Sequence, residues 1–160
     1  MLTLLLLFAS VISGLTGGVF YAFSTFVMRA LEDQPAAAGI AAMQRINVTV
    51  LTPLFLGPFF APAMLLATAA YLARSAGHLL TFIWLTLSLL LYIVGSIGVT
   101  IFFNVPRNNK LASLAPDSDE AAAYWPIYIR EWTAWNHVRT AACLIASALS
   151  IAGLAAAVNG

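Results

Sequence analysis

The sequence predicts an all-α integral membrane protein, a four-helix bundle folded as a single transmembrane domain over residues 1–160. Three observations support this fold class. The chain is 62% hydrophobic and only 8% charged, which is too little charge to cover a water-soluble surface. Four apolar runs are each long enough to cross a bilayer core of about 30 Å as a helix. No change in composition marks a linker or a second domain.

The predicted spans cover residues of about 2–28, 48–72, 79–103 and 132–158. The first run has no basic residues at its start, unlike a secretory leader, and it stays apolar as far as Met28. We therefore interpret it as a span. The net charge of +1 and the lack of a basic patch exclude a nucleic-acid partner.

Span one carries small residues at every fourth position, and span four carries the single cysteine, Cys143. Spacing of this kind lets helix backbones approach closely, so the stripe predicts a packing seam inside the bundle or an interface between copies in a homo-oligomer. Cys143 has no partner for a disulfide and is predicted to be a core residue. The small residues of the stripe are Ser10, Gly14, Gly18 and Ala22.

The connection between spans one and two contains the segment QPAAAGIAAMQRIN, which predicts a short amphipathic helix. Pro35 suits the first turn of a helix because proline lacks the N–H that would be unpaired there. Span two then carries Pro53, Pro58 and Pro62, which are expected to bend it. Membrane helices tolerate such bends where neighbouring helices satisfy the freed carbonyls.

The connection between spans three and four is long, from Asn104 to about Glu131, and is predicted to be partly helical. Acidic residues after Pro116 are typical of a first helical turn, and Pro126 is expected to interrupt or kink that helix. Its aromatic residues favour docking onto the bundle over disorder.

Basic residues are concentrated in the first and third connections, which predicts the orientation in the membrane. Under the positive-inside rule, both long connections are cytoplasmic and both termini lie outside. The opposite side holds only Arg74. The residues on the basic side are Arg29, Arg45, Arg107, Lys110, Arg130 and Arg139.

Polar side chains gather where the ends of these four spans must meet, at one face of the membrane. They precede span two, follow span three and open span four. The candidate site residues are Gln44, Arg45, Asn47, Asn104, Arg107, Asn108, Trp132, Trp135, Asn136, His137 and Arg139.

At the entry to span four, helical spacing indicates which of these residues share one face of the helix. Trp132, Trp135, Asn136 and Arg139 follow an i, i+3, i+4, i+7 pattern, so they share one helical face, and His137 lies on its flank. Arg139 lies one turn inside span four, where a charged side chain has a high free-energy cost of insertion unless it is paired or faces a ligand. The simpler interpretations are an interfacial tryptophan belt and asparagines that link helices through hydrogen bonds.

The supply of metal ligands is small. No pair of histidines or cysteines is placed to hold zinc or non-haem iron. A haem with one axial histidine is the metal centre that the residues permit best. His137 would then be the axial ligand, and arginines among Arg45, Arg107 and Arg139 would meet the propionates.

Three motifs carry a resemblance to a known family: MQRIN at 43–47, NVPRNN at 104–109 and WTAWNHVRT at 132–140. With the order and spacing of the spans, they resemble the DUF1772 family of small four-span membrane proteins, which includes the anthrone oxygenases of polyketide pathways. The resemblance implies oxidation by O₂ of a hydrophobic, electron-rich aromatic, in which a methylene becomes a quinone carbonyl.

The resemblance also implies roles for the clustered residues. His137 would be the general base, and Asn136, Asn104 or Arg139 would stabilise the developing oxyanion. Trp132 and Trp135 would stack on the flat substrate, and the other polar residues of the cluster would bind substrate or cofactor. The favoured mechanism needs no cofactor, and the alternative is a haem b monooxygenase with His137 as axial ligand.

Two further classes of function stay open. One is a non-catalytic protein that binds a membrane lipid or quinone, with the polar cluster anchoring its head group. The other is a structural subunit that assembles through the small-residue stripe of span one.

Overall fold

The computed structural model describes residues 2–159, which are mostly helical and contain no strand. Helix α2 is short, and the other four are long and apolar enough to cross a membrane, which confirms the predicted fold class. The helices are α1, Leu2–Glu32; α2, Ala36–Thr49; α3, Pro53–Ser75; α4, Leu79–Ala112; and α5, Asp119–Asn159.

The four long helices form a ring in which α1 and α4 each contact both α3 and α5. The interior is apolar, with Leu6, Leu66 and Leu85 fully buried. Large apolar side chains also cover the outside, as on Leu54, which is 87% exposed, and Phe102, which is 72% exposed. Such an outer surface suits hydrocarbon, where each helix satisfies its own backbone hydrogen bonds.

The predicted small-residue seam lies inside the bundle for part of its length, between α1 and α5. The hydroxyl oxygens of Ser10 and Ser150 are 2.9 Å apart, and a Cβ on Gly17 would lie 3.1 Å from the Cβ of Cys143. A Cβ on Gly18 would meet nothing within 4 Å. The seam therefore passes through Gly17 rather than Gly18, because the helical period is 3.6 residues rather than four.

The prolines of α3 have different positions and effects. Pro53 is the first residue of the helix and does not bend it, contrary to the prediction, because a proline at N1 removes only an N–H that has no helical partner. Pro58 and Pro62 lie inside the helix. Pro62 cannot donate to the carbonyl of Pro58. The hydroxyl of Thr16 on α1 lies 3.4 Å from that carbonyl and 2.9 Å from the carbonyl of Ile12, so its one hydrogen is shared between the two.

The long third connection, predicted to be partly helical, is mostly helix. Helix α4 continues to Ala112 and α5 begins at Asp119, so only residues 113–118 connect them. Pro126 lies within α5 and does not interrupt it. A single proline removes one helical bond, and Trp125 and Tyr128, both buried, hold the helix on either side.

Helix α2, the end of α4 and the first turns of α5 pack together as a layer over one end of the bundle. Its core contains Ile40, Met43, Leu111 and Tyr128, all fully buried. A Cβ on Gly39 would lie only 2.6 Å from the backbone oxygen of Leu31 on α1. The close approach of α2 to α1 therefore requires glycine at this position. The expected amphipathic helix before span two and the docking of the aromatic segment are both confirmed.

Candidate functional site

A cavity of about 140 Å³ lies beneath this layer, where all five helices converge. Its walls are mainly apolar and aromatic, and polar groups from three helices interrupt them. Phe20, Phe23, Phe55 and Phe59 supply aromatic wall. The polar and indole side chains that line the cavity are Asn47, Thr100, Asn104, Asn108, Trp132 and Arg139.

Arg139 is the charged group of the cavity. It is only 5% exposed, and its guanidinium carbon lies 4.2 Å from the ring centre of Phe20 and 5.0 Å from that of Trp132. Nη1 donates to the hydroxyl of Thr100 at 3.2 Å and Nη2 to Oδ1 of Asn136 at 2.6 Å. No carboxylate in residues 2–159 forms an ion pair with it. The cavity is therefore lined by a buried cation without a counter-ion, an arrangement that favours an anionic ligand.

Asn136 holds this arginine in place. Its Nδ2 donates to the carbonyl of Phe20 and to the hydroxyl of Ser24, both at 2.7 Å, while its Oδ1 accepts from Arg139. Helix α1 widens into a π turn at Phe23–Val27, and such turns release a backbone carbonyl from the helical pattern. All polar atoms of Asn136 are satisfied by the protein, so its role in the geometry is to position Arg139.

Three polar atoms around the cavity have no hydrogen-bond partner within the described chain. They are Oδ1 of Asn104, Nε1 of Trp132 and Nε of Arg139, all of them buried. The amide Nδ2 of Asn104 is occupied, since it donates to the carbonyl of Trp132 at 3.2 Å. Buried polar atoms in proteins almost always have partners, so these three point to a ligand or water that carries both donors and acceptors.

A second network ties α2, α4 and α5 together at the rim. The hydroxyl of Tyr128 donates to Oδ1 of Asn108 at 2.9 Å, and Nδ2 of Asn47 lies 3.4 Å from the same hydroxyl. Tyr128 was not among the predicted site residues. It lies one turn before Trp132, and that spacing is the sequence signal that could have identified it.

Two predicted residues, Arg107 and Trp135, lie between α4 and α5 and not at the cavity. Arg107 pairs with Glu131, with Nη2 and Oε2 2.8 Å apart, and also donates to the carbonyl of Phe103. Trp135 stacks on Phe103, with ring centres 3.6 Å apart and planes inclined by 17°. Both side chains hold the two helices together.

Two others lie on α2. Gln44 donates through Nε2 to the carbonyls of Leu111 at 2.8 Å and Leu114 at 2.9 Å, so it caps the end of α4. Arg45 is exposed and does not line the cavity. In this geometry neither residue reaches the ligand space.

His137 is exposed and lies away from the cavity. His137 precedes Arg139 by two residues. At about 100° per residue, the two side chains are therefore about 200° apart around the axis of α5. His137 lines a shallow depression between α1 and α5 instead. The structure therefore separates His137 from the other clustered residues, and its role as a base stays a prediction.

Thr100, Phe20 and Ser24 belong to the site and were missed from the sequence. Thr100 lies one turn before Asn104 on α4, so helical spacing gave a signal for it. Phe20 and Ser24 contribute through a carbonyl and a small hydroxyl within an apolar run, which carries no such signal. No group of three His, Cys, Asp or Glu residues that could hold a metal is present between residues 2 and 159.

Comparison with known proteins gives one match. No curated protein and no solved structure matches the chain. The family model for anthrone oxygenase matches residues 51–149, which include α3, α4 and most of α5. The matched segment carries Asn104, Trp132 and Arg139, three of the residues that line the cavity. The chain therefore belongs to the anthrone oxygenase family.

Proposed function

We propose that the protein is a membrane oxygenase that uses O₂ to oxidise a hydrophobic, electron-rich aromatic bound in the cavity beneath α2. In the anthrone type of reaction, a ring methylene and one O₂ give a quinone carbonyl and one water, so the reaction balances without an external reductant. Family membership supports an oxygenase in general. The cavity supports the substrate class and the residues involved.

The observation that carries the proposal is Arg139, a buried cation that lies in an aromatic cavity and has no ion-pair partner within residues 2–159. The methylene of an anthrone is acidic because its carbanion is an extended aromatic enolate. A fixed positive charge beside the ring stabilises that anion in a mainly apolar cavity, and the anion then transfers an electron to O₂. The N–H of Trp132 would donate to the polar edge of the substrate and Oδ1 of Asn104 would accept from it, since neither has a partner within residues 2–159.

The size of the cavity limits how the substrate binds. A closed cavity of about 150 Å³ holds one benzene ring, and the cavity here is about 140 Å³. One ring of a polycyclic substrate would lie inside, and the others would extend past the exposed apolar side chains of Val19, Leu51 and Val105 that also line it. An apolar entrance of this kind suits substrates dissolved in the bilayer.

The proposal also requires a group that accepts the proton of the substrate methylene. Among the described residues, no carboxylate or imidazole lines the cavity, so water accepts the methylene proton while Arg139 stabilises the anion. The sequence-based alternative, in which His137 is the base, requires the substrate to reach the other side of α5. The two versions differ in the residue whose loss abolishes turnover.

The proposed reaction uses no cofactor. In the haem version, His137 would be the axial ligand and arginines would bind the propionates. His137 and Arg139 lie on opposite sides of α5, and Arg107 is paired with Glu131, so these groups do not converge on one porphyrin-sized space. The residues therefore fit a haem poorly.

The experiment uses the full chain purified in detergent, with an anthrone as substrate. We expect O₂ uptake and quinone absorbance to rise together in equal amounts, well above the uncatalysed rate. A quinone or lipid binder without catalytic activity would bind the product but leave the rate of O₂ uptake unchanged, and that result would refute the proposal. A Soret band that disappears in His137→Ala would favour the haem version.

A further inference from the structure

A second concave surface lies on the opposite side of α5 from the cavity, between the end of α1 and the middle of α5. It is an open depression of about 470 Å³. Arg29 and Glu32 of α1 line it, together with Arg130, Thr133 and His137 of α5. The proposed oxidation does not use this surface.

The depression has more donors than the protein satisfies. Arg130 is exposed and has no ion-pair partner within residues 2–159. Arg29 pairs with Asp33 at 3.5 Å, but both side chains are largely exposed, so that pair is weak and leaves the guanidinium accessible. The hydroxyl of Thr133 is buried and has no partner in the described chain.

This set of donors matches the chemistry of a phosphodiester. Guanidinium groups bind phosphate oxygens through paired N–H donors, and a hydroxyl adds a further donor. Two guanidinium groups and one carboxylate, that of Glu32, line the depression, so the lining has a net positive charge, while Asp33, the exposed partner of Arg29, lies outside the lining. An anionic group is favoured over a neutral one.

The position of the depression indicates what carries the phosphate. On α1 the charged residues begin at Arg29, and on α5 the buried Arg139 is the one that follows Glu131, so the depression lies where these helices leave the apolar region. Tyr21 lies one helical turn from Thr25, and Val138 lies one turn from Ala134, in both cases on the same helical face and further from the charged end of the helix. Their side chains are 56% and 43% exposed. A donor-rich upper part above an apolar lower part has the same order as a phospholipid head group and its acyl chains.

We propose that this depression binds an anionic phospholipid, with Arg29, Arg130 and Thr133 on its phosphodiester and the acyl chain against Tyr21 and Val138. The lipid would fill the side of α5 opposite Arg139 and hold α1 and α5 together. The proposal is independent of the oxygenase function, since it concerns a different surface of the helix.

The test is binding of dioleoylphosphatidylglycerol to the full chain in detergent, followed by native mass spectrometry and thermal unfolding. Dioleoylphosphatidylcholine tests the charge requirement, and glycerol 3-phosphate tests the phosphate without its acyl chains. We expect a stoichiometric adduct and a raised midpoint with phosphatidylglycerol, weaker binding of phosphatidylcholine, and no effect of glycerol 3-phosphate.

Variants locate the site. Losing one charge-assisted contact weakens binding by about tenfold or more, so Arg130→Gln and Arg29→Gln should each raise the Kd for phosphatidylglycerol by about that factor. Arg74→Gln is the matched control, because Arg74 is an exposed arginine at the other membrane face, and it should leave the Kd unchanged. Equal affinity for both lipids, equal affinity in Arg130→Gln and Arg74→Gln, or displacement of the lipid by glycerol 3-phosphate would each overturn the proposal.

Discussion

Replacing Arg139 by methionine tests the electrostatic basis of the proposed reaction. The substitution keeps an unbranched side chain and removes the one charged group that the described residues place in the cavity wall. Aromatic groups already lie 4.2 and 5.0 Å from the guanidinium, so a substrate anion would lie at a comparable distance. At about 4 Å and an effective dielectric constant of about 20, two unit charges attract by about 4 kcal/mol. Full loss of that attraction would slow turnover by about 10³.

Folding of Arg139→Met should be affected much less than turnover. Oδ1 of Asn136 loses its donor, which costs about 1–3 kcal/mol. Removal of a buried cation without a counter-ion acts in the opposite direction, because the charge no longer has to be desolvated. A loss of activity can therefore be separated from a loss of fold by comparing thermal unfolding of the variant with that of the wild type.

The assay follows quinone absorbance and O₂ uptake in parallel for wild type, Arg139→Met, Arg139→Lys and the control Arg74→Met. We expect kcat/KM to fall by about 10²–10³ in Arg139→Met, to fall less in Arg139→Lys, which keeps the charge, and to stay unchanged in the control. The reasoning would be refuted if Arg139→Met folded normally and kept its kcat/KM within about threefold of the wild type.

Three other substitutions test neighbouring parts of the structure. Tyr128→Phe removes the hydroxyl that lies between two asparagines at the rim of the cavity. We expect it to lower the free energy of unfolding by about 1 kcal/mol and to raise KM more than it lowers kcat. A larger effect on kcat than on KM would contradict a role at the rim. Gly95→Ala would place a Cβ 2.5 Å from that of Ala142, whereas the new Cβ of the control Gly18→Ala meets nothing within 4 Å. We therefore expect Gly95→Ala to melt at a lower temperature than Gly18→Ala. Equal melting temperatures would argue against the tight α4–α5 contact. His137→Ala should keep turnover within about threefold if the cavity beneath α2 is the reaction site, and a loss of about 10² or more, expected for a general base, would move the reaction to the other side of α5.

Much of the fold was predictable because the membrane limits the possible structures. Runs of apolar residues near 20 in length have to be helices in hydrocarbon, so four spans and a short helix after Pro35 followed from hydropathy and one proline. The ends of α4 and α5 were not predictable in the same way. Pro106 and Pro126 are ordinary helix breakers, yet π turns before one and buried aromatic residues around the other let both helices continue.

Part of the candidate site was also predictable. Asn47, Asn104, Asn108, Trp132 and Arg139 all line the cavity, as their common membrane face and their helical spacing indicated. Of the predicted residues that lie elsewhere, Arg45 and His137 face away from the cavity. The other three contact a partner in the protein instead of a ligand: a carboxylate for Arg107, a ring for Trp135, and two carbonyls for Gln44. A sequence shows that such groups need partners but does not show which partner is nearest.

The sequence by itself determined that this protein is a bundle of apolar helices with its polar chemistry at one end, because hydropathy and the cost of burying charge act along the chain. Only the tertiary structure decided which side of α5 carries that chemistry. A rotation of about 200° separates His137 from Arg139, and the packing of the helices places the cavity on the side of the arginine. Neighbouring residues of one motif thus lie in different surroundings: Arg139 lines an aromatic cavity between the helices, and His137 lines an open depression on the outside of the bundle.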